Sequence, residues 1–350
     1  MRHVGVDLGK RAFTVCFLDA EEREHLASFP MTPAGLGAFR AQLRADDRLA
    51  LEVGPNAYFF YDQVRAVVAE VVLVSPRQFA VIAKSPKKTD RQDARTLARF
   101  LKLGCLPTVV VPDPVIRDLR QLFATRDALV RMTTQLKNIG HAVLVRNGLG
   151  RGRGAFASPE GRRRLAQLEG LPPSDRLVLE LVLRQLDQLE AELLTLERAI
   201  LRRGRQLPGL KRLLQVRGLS LLAAIGVLAE IGDIGRFPTA KQLVAYAGLA
   251  SRVRQSGATD RHGRITKEGR TRLRGFLVQA VLSLVRDQAQ TPLRRFYERK
   301  RQEKGAGKAI CATARKLLTV IFVLLTKRLD YWYLEERLYQ RKLKALAAVG

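Results

Sequence analysis

Val4-Gly5-Val6-Asp7-Leu8 is a short apolar run with a carboxylate near its end, and Leu49-Ala50-Leu51-Glu52-Val53 repeats the arrangement. Both read as buried strands, because they are brief, aliphatic and closed by Gly9-Lys10 and Gly54-Pro55-Asn56. A charge buried in a sheet is costly unless it is paired or binds a metal. A third stretch, Lys88-Thr89-Asp90-Arg91-Gln92-Asp93-Ala94, opens a helix with two acids three positions apart, on one helix face. Thr89-x-x-Gln92 and Asp90-x-x-Asp93 are also capping patterns, but capping does not account for Glu52. The acids Asp7, Glu52, Asp90 and Asp93 therefore point to a divalent-metal site, since hard cations prefer oxygen ligands.

The order of elements around these stretches sets the fold class. Val4–Leu8, Ala12–Asp19 and His25–Phe29 read as three strands joined by tight turns. A helix is expected from Thr32 or Pro33 to Arg44, then strand Leu49–Val53, a helix from Ala57 to Glu70 and strand Val71–Val74. Ser75-Pro76 caps a further helix. Hairpins first and crossovers after give an α/β mixed sheet with helices on its faces. That is the order of the ribonuclease-H-like fold, in which the first and fourth strands are parallel neighbours, so Asp7 would stand beside Glu52.

Charge separates this region from the rest. The chain holds 62 Lys and Arg against 33 Asp and Glu, a formal +29. Residues 1–110 hold 16 basic and 12 acidic side chains, so +25 falls on the remaining 240 residues. Such a field attracts polyanions, nucleic acid first among them. No membrane role is expected, because Glu230 interrupts Gly218–Ala229 and Leu317–Leu325 lies between Lys316 and Lys327. Asp7 and Lys10 break what would be a signal peptide's apolar region. Cys16, Cys105 and Cys311 form neither a disulfide framework nor a zinc spacing, so a soluble protein of the reducing cytosol is expected.

Three domains are expected: 1–110, 111–205 and 206–350. The second is helical, with Leu119, Leu122, Leu129, Leu136 and Val143 at heptad-like intervals from Asp113 to Asn147. A partner helix runs from Asp175 to Arg203, with Leu179, Leu183, Leu186 and Leu189, beyond the Gly/Arg linker Gly148–Gly154. The pair reads as an antiparallel coiled coil or dimerisation arm, or as a plain bundle. In the third domain, Val216-Arg217-Gly218-Leu219-Ser220 before the helix Leu221–Glu230 resembles a helix-hairpin-helix turn that offers backbone N–H groups to a phosphate. Helices are then expected from Arg270 to Gln288 and from Lys308 to Tyr339.

Between them lies a loop from Gly248 to Gly269. From Arg252 to Arg274 it and the next helix carry eight basic side chains and two acids. Candidate nucleic-acid contacts here are Arg252, Arg254, Arg261, His262, Arg264 and Lys267, continuing into Arg270, Arg272 and Arg274, with Arg217 and Gly218 from the earlier turn. Density of this kind can be a binding face with no catalytic residue. Ser256, followed by Gly257 and ringed by arginines, nevertheless has what a nucleophile attacking a phosphodiester needs, namely close backbone approach and charge to stabilise the phosphorane. Tyr246 and Tyr297 are rival hydroxyls that read better as core or stacking residues.

The chain resembles the DEDD-motif insertion-sequence transposases, relatives of the Piv/MooV invertases and known as bridge-RNA-guided recombinases. Carrying the resemblance are Gly5-Val6-Asp7-Leu8-Gly9-Lys10, Leu51-Glu52 and Lys88–Ala94. In the second half they are Gly232-Asp233-Ile234-x-Arg236-Phe237, Leu243-x-x-Tyr246-Ala247-Gly248-Leu249, Ser256-Gly257 and Gly263-Arg264-Ile265-Thr266-Lys267. The resemblance implies a RuvC-like first domain whose Asp7, Glu52, Asp90 and Asp93 hold Mg2+, two ions that Mn2+ can replace. It implies Ser256 as the nucleophile of a transient phosphoserine link, DNA and a structured guide RNA as partners, and a dimer or tetramer on DNA in a bacterial or archaeal cytoplasm. Two positions depart from the pattern. Ser251 stands where the family has Pro and offers a second hydroxyl, and Val53-Gly54-Pro55-Asn56 replaces a glycine-rich turn.

Three other readings stand beside it: a RuvC-like junction nuclease without a covalent step, an actin- or sugar-kinase-type ATPase suggested by Asp7-Leu8-Gly9-Lys10, and a non-catalytic nucleic-acid binder. The ATPase leaves the +25 beyond residue 110 unexplained, and the intact set of four acids argues against a decayed binder.

Overall fold

The structure is a computed structural model that describes residues 1–76, 78–79, 89–150, 152, 154–256, 259–287 and 289–348, with the backbone alone for 253–256 and 259–262. The chain divides into two compact units, Met1–Val111 and Pro112–Gly350. The first is a six-stranded mixed sheet in the order β3-β2-β1-β4-β5-β6. Its strands are β1 His3–Leu8, β2 Ala12–Leu18, β3 Glu24–Pro30, β4 Arg48–Glu52, β5 Glu70–Val74 and β6 Thr108–Val109. β1, β2 and β3 form an antiparallel meander, β1 and β4 pair in parallel, and β4 pairs in parallel with β5.

Alternation along β1 sends its side chains to two different neighbourhoods. Val4 and Val6, with Leu49 and Leu51 of β4, pack on α1 (Pro33–Arg40) and α2 (Ala57–Val64) in a core where Phe13 stacks on Phe29 and both meet Phe39, and Phe13 and Phe39 meet Phe60, edge-on or tilted. Gly5, Cys16 and Ala50 face the other way, toward α3 (Asp90–Lys102). Small side chains let α3 lie almost on the sheet: a Cβ on Gly5 would stand 2.1 Å from the Ala94 carbonyl oxygen and 2.5 Å from the Ala98 nitrogen. Gly5→Ala is therefore expected to destabilise this unit by about 3 kcal/mol, since neither backbone atom can yield without moving the helix. A lowered urea midpoint at unchanged slope would show it; a midpoint equal to the parent's would mean that α3 does not press on Gly5.

The expected helices end earlier than the apolar pattern suggests. The first stops at Arg40 rather than Arg44, and the second at Val64, because Glu70 belongs to β5 and pairs with Arg48. After Ser75-Pro76 a turn of helix begins, with the Phe79 amide donating to the Ser75 carbonyl, and the remainder of that element lies outside the described residues.

The second unit opens with α4 (Pro114–Arg146), the small helix α5 (Pro159–Ala166) and α6 (Pro173–Gly204). Ion pairs Asp118–Arg203, Arg126–Glu197 and Arg146–Asp175 run in opposite sense along α4 and α6, so the two form an antiparallel hairpin. At its tip, Phe156 packs on Gly140 and against His141, and buried Arg162 pairs with Asp187 and Glu190. Residues 151 and 153 of the Gly/Arg linker lie outside the described residues.

The remaining helices share one core: α7 (Leu210–Leu214), α8 (Leu221–Ile231), α9 (Ala240–Tyr246), α10 (Thr271–Arg286), α11 (Pro292–Lys304), α12 (Ala306–Thr326) and α13 (Glu336–Ala347). Two expectations change here. The continuous helix from Lys308 to Tyr339 is broken after Thr326, and Pro292–Lys304 is a helix of its own. The segment α12 also extends well beyond the run Leu317–Leu325, and by length and composition it could cross a membrane. Its Leu317, Leu318, Ile321 and Leu324 are instead buried in the common core.

Candidate active site

The register of β1 on β4 sets Val6 beside Leu51. One residue further along each strand, Asp7, last but one in β1, and Glu52, last in β4, share the parity of Gly5 and Ala50, the face that α3 covers. Both are half-buried. The turn after β1 is tied to the turn after β4 by Asn56, whose Nδ2 donates to the Gly9 carbonyl at 3.0 Å. The altered turn Val53-Gly54-Pro55-Asn56 thus has a use: it links the loops that follow the two acids.

α3 runs antiparallel to β1. Its last turns lie beside the start of β3, where Arg95 and Arg99 pair with Glu24 and Lys102 pairs with Glu22. Its first turn, with Asp90 and Asp93, is therefore directed toward the end of β1 that carries Asp7. Thr89 caps the helix, its hydroxyl accepting from the Gln92 amide at 3.2 Å. The cap is accordingly satisfied without Asp90 or Asp93, which sit in the first turn where the helix dipole favours negative charge. All four donors are carboxylates, the chemistry a hard divalent cation takes. They share a face and an end of the sheet, yet among the described residues no three acids, His or Cys stand close enough together to hold a metal ion.

Ser256 lies in the second unit. The expected loop is in fact a hairpin of β7 (Ser251–Ser256) and β8 (Thr259–Ile265), paired from Ser251–Ile265 to Ser256–Thr259 with an irregularity between Ser251 and Val253. Gly257, with Ala258 between the strands, lies outside the described residues, as do the side chains of Ser256, Arg254, Arg261 and His262. The two candidate hydroxyls occupy opposite ends. Ser251 is at the root, next to buried Leu249, and Ser256 is the last paired residue of its strand. Five positions apart along the strand, they are separated by roughly 16 Å.

The root is fixed by backbone contact. Gly248 (φ +67°) and Gly269 (φ +112°) let the entering and leaving chains abut: a Cβ on either would come within 2.4 Å of a carbonyl oxygen. The Arg270 amide donates to the Tyr246 carbonyl, and the Arg270 Nε donates to the Tyr246 hydroxyl at 2.8 Å. That hydroxyl donates in turn to the Glu230 carbonyl, and Arg236 stacks over the tyrosine ring. Tyr246 and the buried Tyr297 are thus structural, as their sequence context suggests.

Several candidate phosphate contacts are already engaged. Arg217 pairs with Asp287 and Glu335, and the Gly218 turn (φ +90°) backs onto α10, where a Cβ would meet the Ala280 oxygen at 2.5 Å. The Ser220 hydroxyl caps α8 by accepting from the Ala223 amide. Packing therefore explains the glycine of this turn. Arg272 pairs with Asp127 and with Glu230, and Arg274 donates to the Ala247 carbonyl. Arg264 and Lys267 remain exposed, and Arg252 is largely exposed, its guanidinium 3.7 Å from Glu268. Glu230 is the residue that sequence reasoning passes over: a lone acid in an apolar helix, 1% exposed, holding the arginines at the hairpin's root.

Comparison with known proteins fits this arrangement. Residues 4–147 match a family model of the DEDD type described as a transposase, and residues 210–298 match one described as the Transposase IS116/IS110/IS902 family. Both describe transposases, a class of enzyme that cuts and joins DNA. A probable family 20 transposase of Pseudomonas aeruginosa is 29% identical over 95% of this chain and 98% of its own length. The transposase for insertion sequence element IS1111A of Coxiella burnetii is 27% identical, over 94% of this chain and 90% of its own. The chain belongs to the DEDD-motif IS110 family of insertion-sequence transposases.

Proposed function

We propose that this transposase cuts and rejoins DNA through a covalent link to Ser256, with Asp7, Glu52, Asp90 and Asp93 as the ligands of Mg2+ in a RuvC-like first unit. The observation that supports the reading is the shared end of β1, β4 and α3: Asp7 and Glu52 lie side by side on the face that α3 covers, and α3 opens toward that end with Asp90 and Asp93. When bound, a divalent cation there would supply charge to offset that developing on a scissile phosphate. Asn56 holds the two loops beyond the strand acids together. Ser256, at the far end of a basic hairpin, exchanges one phosphodiester for another, which retains the bond energy for rejoining without a nucleotide cofactor. The DNA, and a guide RNA as the family resemblance implies, would be drawn by the positive field of the second unit. The family resemblance further implies that the protein acts with another copy of the chain.

The decisive experiment is to trap protein–DNA adducts after denaturation. An adduct is expected with the parent and with Ser251→Ala, and none with Ser256→Ala. Metal-dependent cutting that survives both substitutions would instead favour a hydrolytic junction nuclease.

A further inference from the structure

A cavity of about 950 Å3 lies where the helical hairpin joins the rest of the second unit, and none of the candidate nucleic-acid contacts on the β7–β8 hairpin or the Gly218 turn lines it. Its wall combines two chemistries. Arg202, Arg203, Arg205, Arg212 and Arg328 supply five guanidinium groups, while Val115, Ile116, Leu228, Ile234 and Leu325 supply apolar surface. Asp113 and Asp233 also line it, and Asp233 is turned to the Gly235 amide, which donates to it at 2.8 Å.

Most of the positive charge is uncommitted. Arg203 pairs with Asp118, but among the described residues Arg202, Arg205, Arg212 and Arg328 form no ion pair. The Nε of Arg212 is buried and has no acceptor, so its guanidinium is not held by any protein carboxylate or carbonyl through that atom. Arg328 follows the C-cap of α12 with φ +54°. Glycine is the usual residue in that backbone region, because a side chain there is strained. An arginine at this position gives up local stability and places a cation on the cavity wall.

We propose that this cavity takes one nucleotide of a single-stranded segment, its phosphate on the arginines and its base against the apolar wall. The volume is within the ~300–1,000 Å3 of small-ligand sites. A duplex offers its phosphates on a convex surface and keeps its bases stacked, so it could meet the arginines but not the apolar surface. Guanidinium planes and apolar walls suit an unstacked base of either RNA or DNA. The proposal rests on the reading that the chain handles nucleic acid, and on neither the metal ligands nor Ser256.

The test is fluorescence anisotropy of the full-length protein with a labelled poly-dT strand, the corresponding poly-U strand and a duplex of equal length. Arg212→Gln and Arg328→Gly are compared with the parent and with Arg264→Gln on the exposed hairpin. Each cavity variant is expected to weaken single-strand binding about tenfold and to lower the salt slope by about 0.7 for each phosphate no longer neutralised, with a much smaller change on duplex. Arg328→Gly should melt no lower than the parent, which separates weakened binding from misfolding. Tighter binding of one strand type names the source as RNA or DNA, and equal binding means that the shared phosphate and base suffice; either agrees with the proposal. Equal proportional losses on strand and duplex, or no loss in either cavity variant, would overturn it. A parent that binds none of the three probes would overturn the broader nucleic-acid reading as well.

Discussion

Asp7→Asn and Glu52→Gln, each alone, are expected to lower single-turnover strand cleavage by roughly 10^2–10^4-fold while leaving DNA affinity within about twofold. That range follows from the several kcal/mol of transition-state charge stabilisation that a metal ion supplies, at 1.36 kcal/mol per factor of ten. Each substitution keeps the shape of the side chain and removes one negative charge. Both residues lie near the ends of strands whose preceding positions, Val6 and Leu51, are fully buried, so the frame should survive. Affinity should persist because the excess positive charge lies beyond residue 110. Two readouts besides cleavage check the assignment: binding of Mn2+ by titration calorimetry should be lost, and the melting temperature should stay within a few degrees. Cleavage at the parent rate would remove these acids from the site. A fall in DNA affinity as large as the fall in cleavage would make them structural.

The same logic governs how much of the fold and the site is legible in the sequence. Asp7 and Glu52 stand out because a carboxylate in an aliphatic strand needs a reason, and the parallel pairing of β1 with β4 sets them side by side. Strand order limits which ends meet, so the neighbourhood of Asp7 and Glu52 is legible, whereas their distance from Asp90 and Asp93 is not: among the described residues no three acids come close enough together to hold a metal ion. Helix ends are less legible. The amphipathic pattern runs past Val64, but Glu70 is taken by β5 through register with Arg48. The hairpin around Ser256 reads as a loop because its arginines obscure the alternation of a strand, although Gly257-Ala258 between Ser256 and Thr259 is a two-residue turn signal. Basic residues can be counted in a sequence but not sorted. Whether an arginine meets solvent or a carboxylate depends on partners such as Asp127 for Arg272, 145 positions away. Glu230 escapes notice because a single acid in the apolar helix Leu221–Ile231 looks like an interruption, whereas the test applied to acids in strands marks it as a buried charge in need of a partner.

Glu230 also carries the second large effect. Glu230→Gln is expected to destabilise the second unit by about 3 kcal/mol, the lower end for breaking a buried ion pair from one side, because Arg272 keeps Asp127. For a unit of this size the melting temperature should fall by roughly 6–12 °C. The Glu230 carboxylate accepts from Arg272 Nη1 at 2.9 Å and lies 3.8 Å from Arg270 Nη1, while its carbonyl accepts from Arg120 and from the Tyr246 hydroxyl. Burial opposes the charge on Arg272, yet hydrogen bonds to Asp127 and Glu230 hold its pKa above the ordinary arginine range. The network joins α4, α8 and α10 to the root of the Ser256 hairpin. Glu230→Leu combined with Arg272→Met tests what it is for. An apolar pair of similar bulk should recover most of the lost stability, since well-packed hydrophobic groups often replace a buried ion pair without cost. If the charges position the hairpin, the stable double variant still cleaves poorly and forms few Ser256 adducts, with Mn2+ binding by the first unit unchanged. Parent-level adduct formation in the double variant would reduce the network to a matter of stability alone. A Glu230→Gln protein that melts with the parent would deny it even that, because removing the buried charge that faces Arg270 and Arg272 cannot be neutral unless the pairing is absent in solution.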